Sequence, residues 1–185
     1  GFYDAARLAE LAQWKNEWPA EATAWDETQG ASVSAFYFGN LPQALHGTAD
    51  AVLFIRALHN MARFSETKDF LGSAIENAFQ ALKPGGIVGI VQHAAPADMP
   101  TTWANGARGY LHETFVIEQM QAAGFEFVGS SDINANALDV PGADDVVWRL
   151  PPVLNGSKDN AELAATMREI GESNRMTLKF RKPSA

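Results

Sequence analysis

The sequence predicts an α/β fold: a layered sheet of mostly parallel strands with an antiparallel last strand. Three observations predict it. Asp50-Ala51-Val52-Leu53-Phe54-Ile55 and Ile87-Val88-Gly89-Ile90-Val91 are apolar runs without alternation, the pattern of parallel strands covered on both faces. A helical stripe, Phe70, Leu71, Ala74, Ile75, Ala78, Phe79 and Leu82, separates them. Met176-Thr177-Leu178-Lys179-Phe180-Arg181 alternates with period two, which marks a strand with one solvated face.

The remaining elements follow in chain order. Phe2 and Tyr3 read as the end of a strand feeding a first helix. Asp4 is its N-cap; Leu8, Leu11, Trp14, Lys15 and Trp18 keep helical spacing, and Pro19 ends the run. Residues 20–31 read as loop, and Val33 to Phe38 as a short aromatic strand broken at Gly39-Asn40-Leu41-Pro42. Ser65 is placed to cap the helix of the apolar stripe, and Lys83-Pro84-Gly85-Gly86 to stop it. Residues 94–109 form a loop rich in Pro, Gly and Asn; a helix from Glu113 to Ala123 ends at Gly124, and Phe125 to Ser130 is the next strand. An irregular stretch from Asn134 to Asn160 precedes a short helix, Ala161 to Ile170. Without repeats or a domain-scale linker, residues 1–185 read as a single domain.

Composition narrows the function. The 185 residues carry a formal net charge of -8, and the only basic cluster is Lys179-Phe180-Arg181-Lys182 on the last strand. A protein that neutralises phosphates needs a basic patch, so a small-molecule partner is expected and nucleic acid is not. With no cysteine, thiol nucleophiles and zinc–thiolate sites are excluded. No apolar run approaches the roughly 20 residues of a membrane span, so no membrane partner is expected.

Several segments together resemble a bacterial family of class I S-adenosylmethionine-dependent methyltransferases. They are Ala51-Val52-Leu53-Phe54-Ile55-Arg56-Ala57-Leu58-His59-Asn60, Leu82-Lys83-Pro84-Gly85-Gly86 with the strand ending in Gln92-His93, and Gly109-Tyr110-Leu111 with the helix running into Ala123-Gly124-Phe125. Ile133-Asn134-Ala135-Asn136, Val147-Trp148-Arg149-Leu150-Pro151-Pro152 and Ile170-Gly171-Glu172-Ser173-Asn174-Arg175-Met176-Thr177-Leu178-Lys179-Phe180 complete the set. The resemblance covers the chain from about Asp50 onward. It implies a Rossmann-like class I methyltransferase sheet, S-adenosylmethionine as cofactor and a small-molecule acceptor. Members of the family carry a Gly-rich turn after their first strand, whereas the fifteen glycines here form no G-x-G. Together with a start at Gly1 rather than Met, this leads to the expectation of an N-terminally incomplete methyltransferase. Its first strand and helix would be missing, and the chain alone would be inactive and bind the cofactor weakly. In that fold the first strand lies between those expected at Val33 to Phe38 and Asp50 to Ile55. A homodimer donating a strand is one way to fill the gap. The compartment stays open between cytoplasm and export.

The candidate site residues follow from position and resemblance. His59 leaves the C-terminal end of a parallel strand, where open α/β sheets bind ligands. It is the first candidate for a catalytic base or an orienter of substrate, against a histidine that only caps the strand. His93 follows the next strand and would share its crevice. Two histidines there could begin a metal site, but no third ligand is evident and no metal is expected. Arg56 suits the methionine carboxylate of the cofactor, or a structural ion pair. Asn60, Tyr110 and Trp148 are candidates for the substrate side; Asn60 could equally be a turn residue, and Trp148 a lid or a core anchor. His112 borders the crevice or caps a helix. On the resemblance, Asp4 stands where such folds hold the cofactor ribose, and Gly39, Asn40 and Leu41 where they hold the adenine edge. Expected function is methyl transfer to a small molecule, the alternative a non-catalytic methyltransferase-like domain that binds a ligand or partner. A nucleotide-binding oxidoreductase would need a G-x-G-x-x-G that is not present.

Overall fold

The computed structural model describes residues 4–29 and 32–184. The chain divides into two compact units, residues 1–44 and 45–185.

In the first unit, helix α1 spans Ala5–Gln29. Asp4 caps it, accepting the Arg7 N–H at 2.8 Å. Contrary to expectation, the helix does not end at Pro19, and residues 20–29 are helical. A proline removes one N–H donor from a helix interior, a cost of about 3 kcal/mol. Ala20, Glu21 and Ala22 beyond it are strong helix formers, and the helix continues through them. The Thr23 hydroxyl donates to the Pro19 carbonyl one turn before it, 2.9 Å away. Trp14 and Trp18 stack with ring centroids 5.1 Å apart, and Trp25 meets Trp18 edge-on at 5.0 Å. The expected strand at Val33 to Phe38 does not form. β-propensity there lacks a ladder partner among the described residues, and without cross-strand pairs a short strand has nothing to hold it extended. The turn that follows is present: the Asn40 N–H donates to the Tyr37 carbonyl at 3.0 Å, with Gly39 at φ 85°. The strand end expected at Phe2 and Tyr3 lies outside the described residues.

The second unit holds a four-stranded mixed sheet. Its elements are β1 (Ala49–Ile55), α2 (Leu58–Ala62), α3 (Phe70–Ala81), β2 (Leu82–His93), α4 (Glu113–Ala122), β3 (Glu126–Ser130), α5 (Ala161–Ile170) and β4 (Arg175–Arg181). The strand order is β1-β2-β4-β3. β1 and β2 are parallel, and β4 is antiparallel to both β2 and β3. Three strands therefore point one way, and the last strand in sequence runs against them between β2 and β3.

One face of this sheet makes the core. Phe54, Val88, Ile90, Met176, Leu178 and Phe180 pack with Leu71, Ala74, Ile75 and Ala78 of α3 and with Val116 and Met120 of α4. Burying each large side chain contributes about 1.5–3 kcal/mol. The other face differs from the sequence expectation at β1. Leu53 and Ile55 are 67% and 51% exposed, so this apolar run is covered on one side only. Unbroken hydrophobicity cannot by itself report how many faces are covered.

One local reading is corrected: Asp69, not Ser65, caps α3, accepting the Gly72 N–H at 2.7 Å. As expected, α3 ends directly before Lys83-Pro84-Gly85-Gly86. That segment forms the irregular start of β2, where the β1 register shifts and the Gly85 N–H donates to the Lys182 carbonyl. Proline at the beginning of a strand costs no central ladder bond. No helix among the described residues is long and apolar enough to cross a membrane.

Candidate functional site

A pocket of about 330 Å³ opens at the C-terminal ends of β1 and β2. Parallel strands leave their last carbonyls and the following loops there, which is why such sheets bind ligands at that end. Arg56, His59, Asn60, His93 and Trp148 all line it.

The backbone turns sharply where β1 ends. Arg56 takes a left-handed φ of 53°, and its N–H donates to the Val91 carbonyl at 2.7 Å. This re-aims the chain into α2, a five-residue helix not foreseen from the sequence, and sets His59 3% exposed on it. Gln92 holds His59 in place: its Oε1 lies 3.2 Å from His59 Nδ1 and accepts the His59 N–H at 3.3 Å. The Gln92 Nε2 group donates to the Gly109 carbonyl at 2.9 Å, which fixes the amide orientation. Because that oxygen can only accept, Nδ1 of His59 carries the proton and Nε2 the free lone pair. Burial lowers the His59 pKa below the ordinary histidine value; the Gln92 bond opposes this and the Arg63 charge adds to it.

His93 is the second imidazole, its ring centroid 5.4 Å from that of His59. Its Nδ1 lies 2.6 Å from the Ser173 hydroxyl. Burial first, then the His59, Arg56 and Arg175 charges, push its pKa down to about 3. Trp148 meets His59 edge-on at 5.9 Å, and Leu150, Pro151, Pro152 and Val153 continue the apolar wall.

Three polar residues of the pocket were not singled out from sequence: Glu172, Ser173 and Arg175. Arg175 Nη2 lies 2.5 Å from Glu172 Oε2, while its Nε is buried without a hydrogen-bond partner. All three fall within the segment Ile170 to Phe180 that carries the family resemblance, the one signal that could have found them.

Tyr110 is fully buried and does not line the pocket. It belongs to a network behind the wall. Its hydroxyl lies 3.1 and 3.0 Å from the two Asp139 oxygens and accepts from Arg149 Nη1 at 2.8 Å. Arg149 Nη2 reaches Asp139 Oδ1 at 2.7 Å, and Asp139 Oδ2 accepts the Asn174 N–H at 2.9 Å. Burial and the Asp139 charge raise the Tyr110 pKa, so the phenol stays protonated. Asp139 thus ties the turn before α4 to two segments that line the pocket, the Val147–Arg149 turn and the approach to β4.

His112 precedes α4 without capping it by its side chain, and its Nε2 lies 2.9 Å from the Met99 carbonyl oxygen. Asp4, Gly39, Asn40 and Leu41 belong to the first unit, where Asp4 caps α1 and Gly39 and Asn40 form the turn. Among the described residues no cluster of three His, Asp or Glu side chains could hold a metal ion.

Comparison with solved structures identifies the architecture. The [4+2]-cyclase SpnF superposes with a TM-score of 0.55 at 22% identity, over 90% of this chain and 63% of SpnF. A complex of the Haloferax volcanii Trm112 methyltransferase activator with a candidate methyltransferase gives 0.54 at 16% identity, over 90% of this chain and 68% of the other. The Burkholderia thailandensis 1,6-didemethyltoxoflavin N1-methyltransferase, solved with S-adenosylhomocysteine, gives 0.44 at 16% identity, over 87% and 56%. The chain has the Rossmann-like fold of class I methyltransferases. It spans less than two thirds of SpnF. No family model matches it, and no curated protein does.

Proposed function

We propose that this fold serves methyl transfer from S-adenosylmethionine to a small-molecule acceptor, with the reacting groups meeting in the pocket at the ends of β1 and β2. The observation that carries the reading is His59: an imidazole with Nδ1 held by Gln92 and Nε2 free, beside a neutral His93 at the ligand-binding end of a class I methyltransferase sheet.

The pocket residues fit one end of the cofactor. Arg56 suits its carboxylate, and the apolar wall around Trp148 suits the sulfonium's methylene neighbours. For the nucleoside the lining offers no acid beyond Glu172, which Arg175 engages. When bound, the cofactor supplies an electrophilic methyl group. The chain's own task is alignment, since positioning two reactants supplies much of the rate in such displacements. His59 Nε2 accepts the proton of an acceptor hydroxyl as that oxygen attacks. Asn60 and Trp148 orient the acceptor, and Trp148 excludes water.

A second reading, a domain of this fold that binds a ligand without methyl transfer, is favoured by the lack of any G-x-G turn in the sequence. One experiment separates them. The protein is titrated calorimetrically with S-adenosylhomocysteine, and methyl transfer is followed over a panel of hydroxylated acids. Under the first reading the nucleoside binds, and His59→Ala lowers turnover by roughly 10²-fold or more with a smaller effect on melting. Acid binding without nucleoside binding would support the second reading; equal loss of turnover and stability in His59→Ala would make His59 structural.

A further inference from the structure

We propose that the acceptor is a small organic anion, an apolar body bearing one carboxylate, held at the guanidinium of Arg175. The inference rests on the methyl-transfer reading above and adds the chemical class of the molecule that is methylated.

Charge points to it first. The chain is acidic overall, at -8, yet the pocket lining holds two guanidiniums, Arg56 and Arg175, against the single carboxylate of Glu172. His59 and His93, both neutral at pH 7, do not alter this sum. S-adenosylmethionine carries two positive groups and one carboxylate, so its arrival makes the pocket more positive. A carboxylate on the acceptor offsets that excess in a site where charges are poorly screened.

The second argument is an unmet donor. Arg175 stands opposite His93 in the β2–β4 ladder, which puts both side chains on the same face of the sheet. Glu172 takes one Nη group of Arg175, and the Nε is buried with no hydrogen-bond partner. Leaving a buried donor unpaired is costly, and more so for a charged group. The Nε and Nη donors of a guanidinium form a planar fork that matches a carboxylate, whereas a neutral amide oxygen meets it with one acceptor and no charge. The third is shape. Ile55, Trp148, Leu150 and Val153 give the same pocket an apolar wall, suited to a ring or short chain behind the carboxylate.

The probes are 4-hydroxybenzoate and 4-hydroxybenzamide, equal in ring and hydroxyl but differing in charge, titrated into the full chain with and without S-adenosylhomocysteine. The benzoate is expected to bind at least about tenfold more tightly than the amide. Arg175→Met should abolish that preference. Because Arg175 sits in the central strand and its loss could unfold the chain, Glu172→Gln provides the second arm. This exposed substitution frees the guanidinium and should tighten benzoate binding while leaving the amide unchanged. Equal affinity for acid and amide, no saturable benzoate binding, or weaker binding in Glu172→Gln would each overturn the proposal. Displacement of benzoate by S-adenosylhomocysteine would overturn it too, by making Arg175 the cofactor's own carboxylate site. A preference for the acid without any nucleoside binding would leave the anion site standing and sink the methyl-transfer reading. Nucleoside binding without the preference would do the reverse.

Discussion

Replacing Asp139 by Asn should destabilise the second unit far more than an exposed carboxylate would. Asp139 and Arg149 are both buried, and their closest atoms lie 2.7 Å apart. The asparagine keeps one acceptor for Arg149 but turns the other oxygen into a donor facing the Asn174 N–H and the Tyr110 hydroxyl. Besides that neutral oxygen, Arg149 keeps the Tyr110 hydroxyl, the Val146 carbonyl at 3.4 Å and the half-exposed Asp145 at 3.5 Å. Removing one partner of a buried ion pair costs about 3–5 kcal/mol, because the other charge is stranded. For a chain of this length each kcal/mol lowers Tm by about 2–4 °C, so the expected fall is roughly 6–20 °C. Urea unfolding followed by tryptophan fluorescence gives the free energy directly, since Trp103 and Trp148 lie in or beside this region. The double variant Asp139→Asn/Arg149→Met should recover part of the loss, because no unpaired charge is then left inside. A single-variant loss below about 1 kcal/mol, or a double variant no better than the single, would refute the network as the tie between these segments.

Further outcomes are expected. His93 is held neutral, with its pKa pushed down to about 3 against an unfolded value near 6.5. Between those values the unfolded chain binds the extra proton, so His93 subtracts stability progressively as pH falls from 6.5 towards 3. His93→Gln should flatten that part of the stability–pH curve, and an unchanged slope in urea titrations at pH 4, 5 and 6 would contradict it. Gly109→Ala should cost more than about 1 kcal/mol, because φ is 90° there and a Cβ would sit 2.2 Å from Val147 Cγ1. It should also broaden the His59 imidazole resonances, since Gln92 donates to the Gly109 carbonyl; sharp, unshifted signals would show that the glycine does not support the site. In α1, Pro19→Ala should slow amide exchange over residues 15–23 by restoring one helix bond, and unchanged exchange would mean that the proline costs the helix nothing.

The elements that could be read from the sequence are those whose pattern is local. The apolar runs at β1 and β2, the alternation of β4 and the helix ending at Gly124 each declare themselves within about ten residues. α1 beyond Pro19 and the stretch at Val33 to Phe38 depart from their local signals, because a breaker or a propensity is not decisive where neighbours decide. At the site, strand ends brought Arg56, His59 and His93 together, and adjacency to them brought in Asn60. Gln92 was adjacent too, yet a buried glutamine in a strand carries no signal that it will orient a histidine 33 residues away. The Tyr110–Asp139–Arg149 network is harder still: its partners lie 29, 10 and 39 residues apart, on turns that have no periodicity to read.

The position of β4 bears on how the molecule is made. The fourth strand in sequence fills an interior place in the sheet, between β2 and β3, so neither neighbour can complete its ladder until β4 has left the ribosome. Up to that moment the nascent chain exposes two unpaired strand margins, a hazard for association with other nascent chains and an invitation to chaperones. Ser173 and Arg175 arrive just before and with this strand, so no chain ending before residue 173 can contain an assembled pocket. Ribosome-stalled chains ending before residue 173 should therefore remain protease-sensitive throughout β2 and β3, and acquire resistance in one step once β4 has emerged.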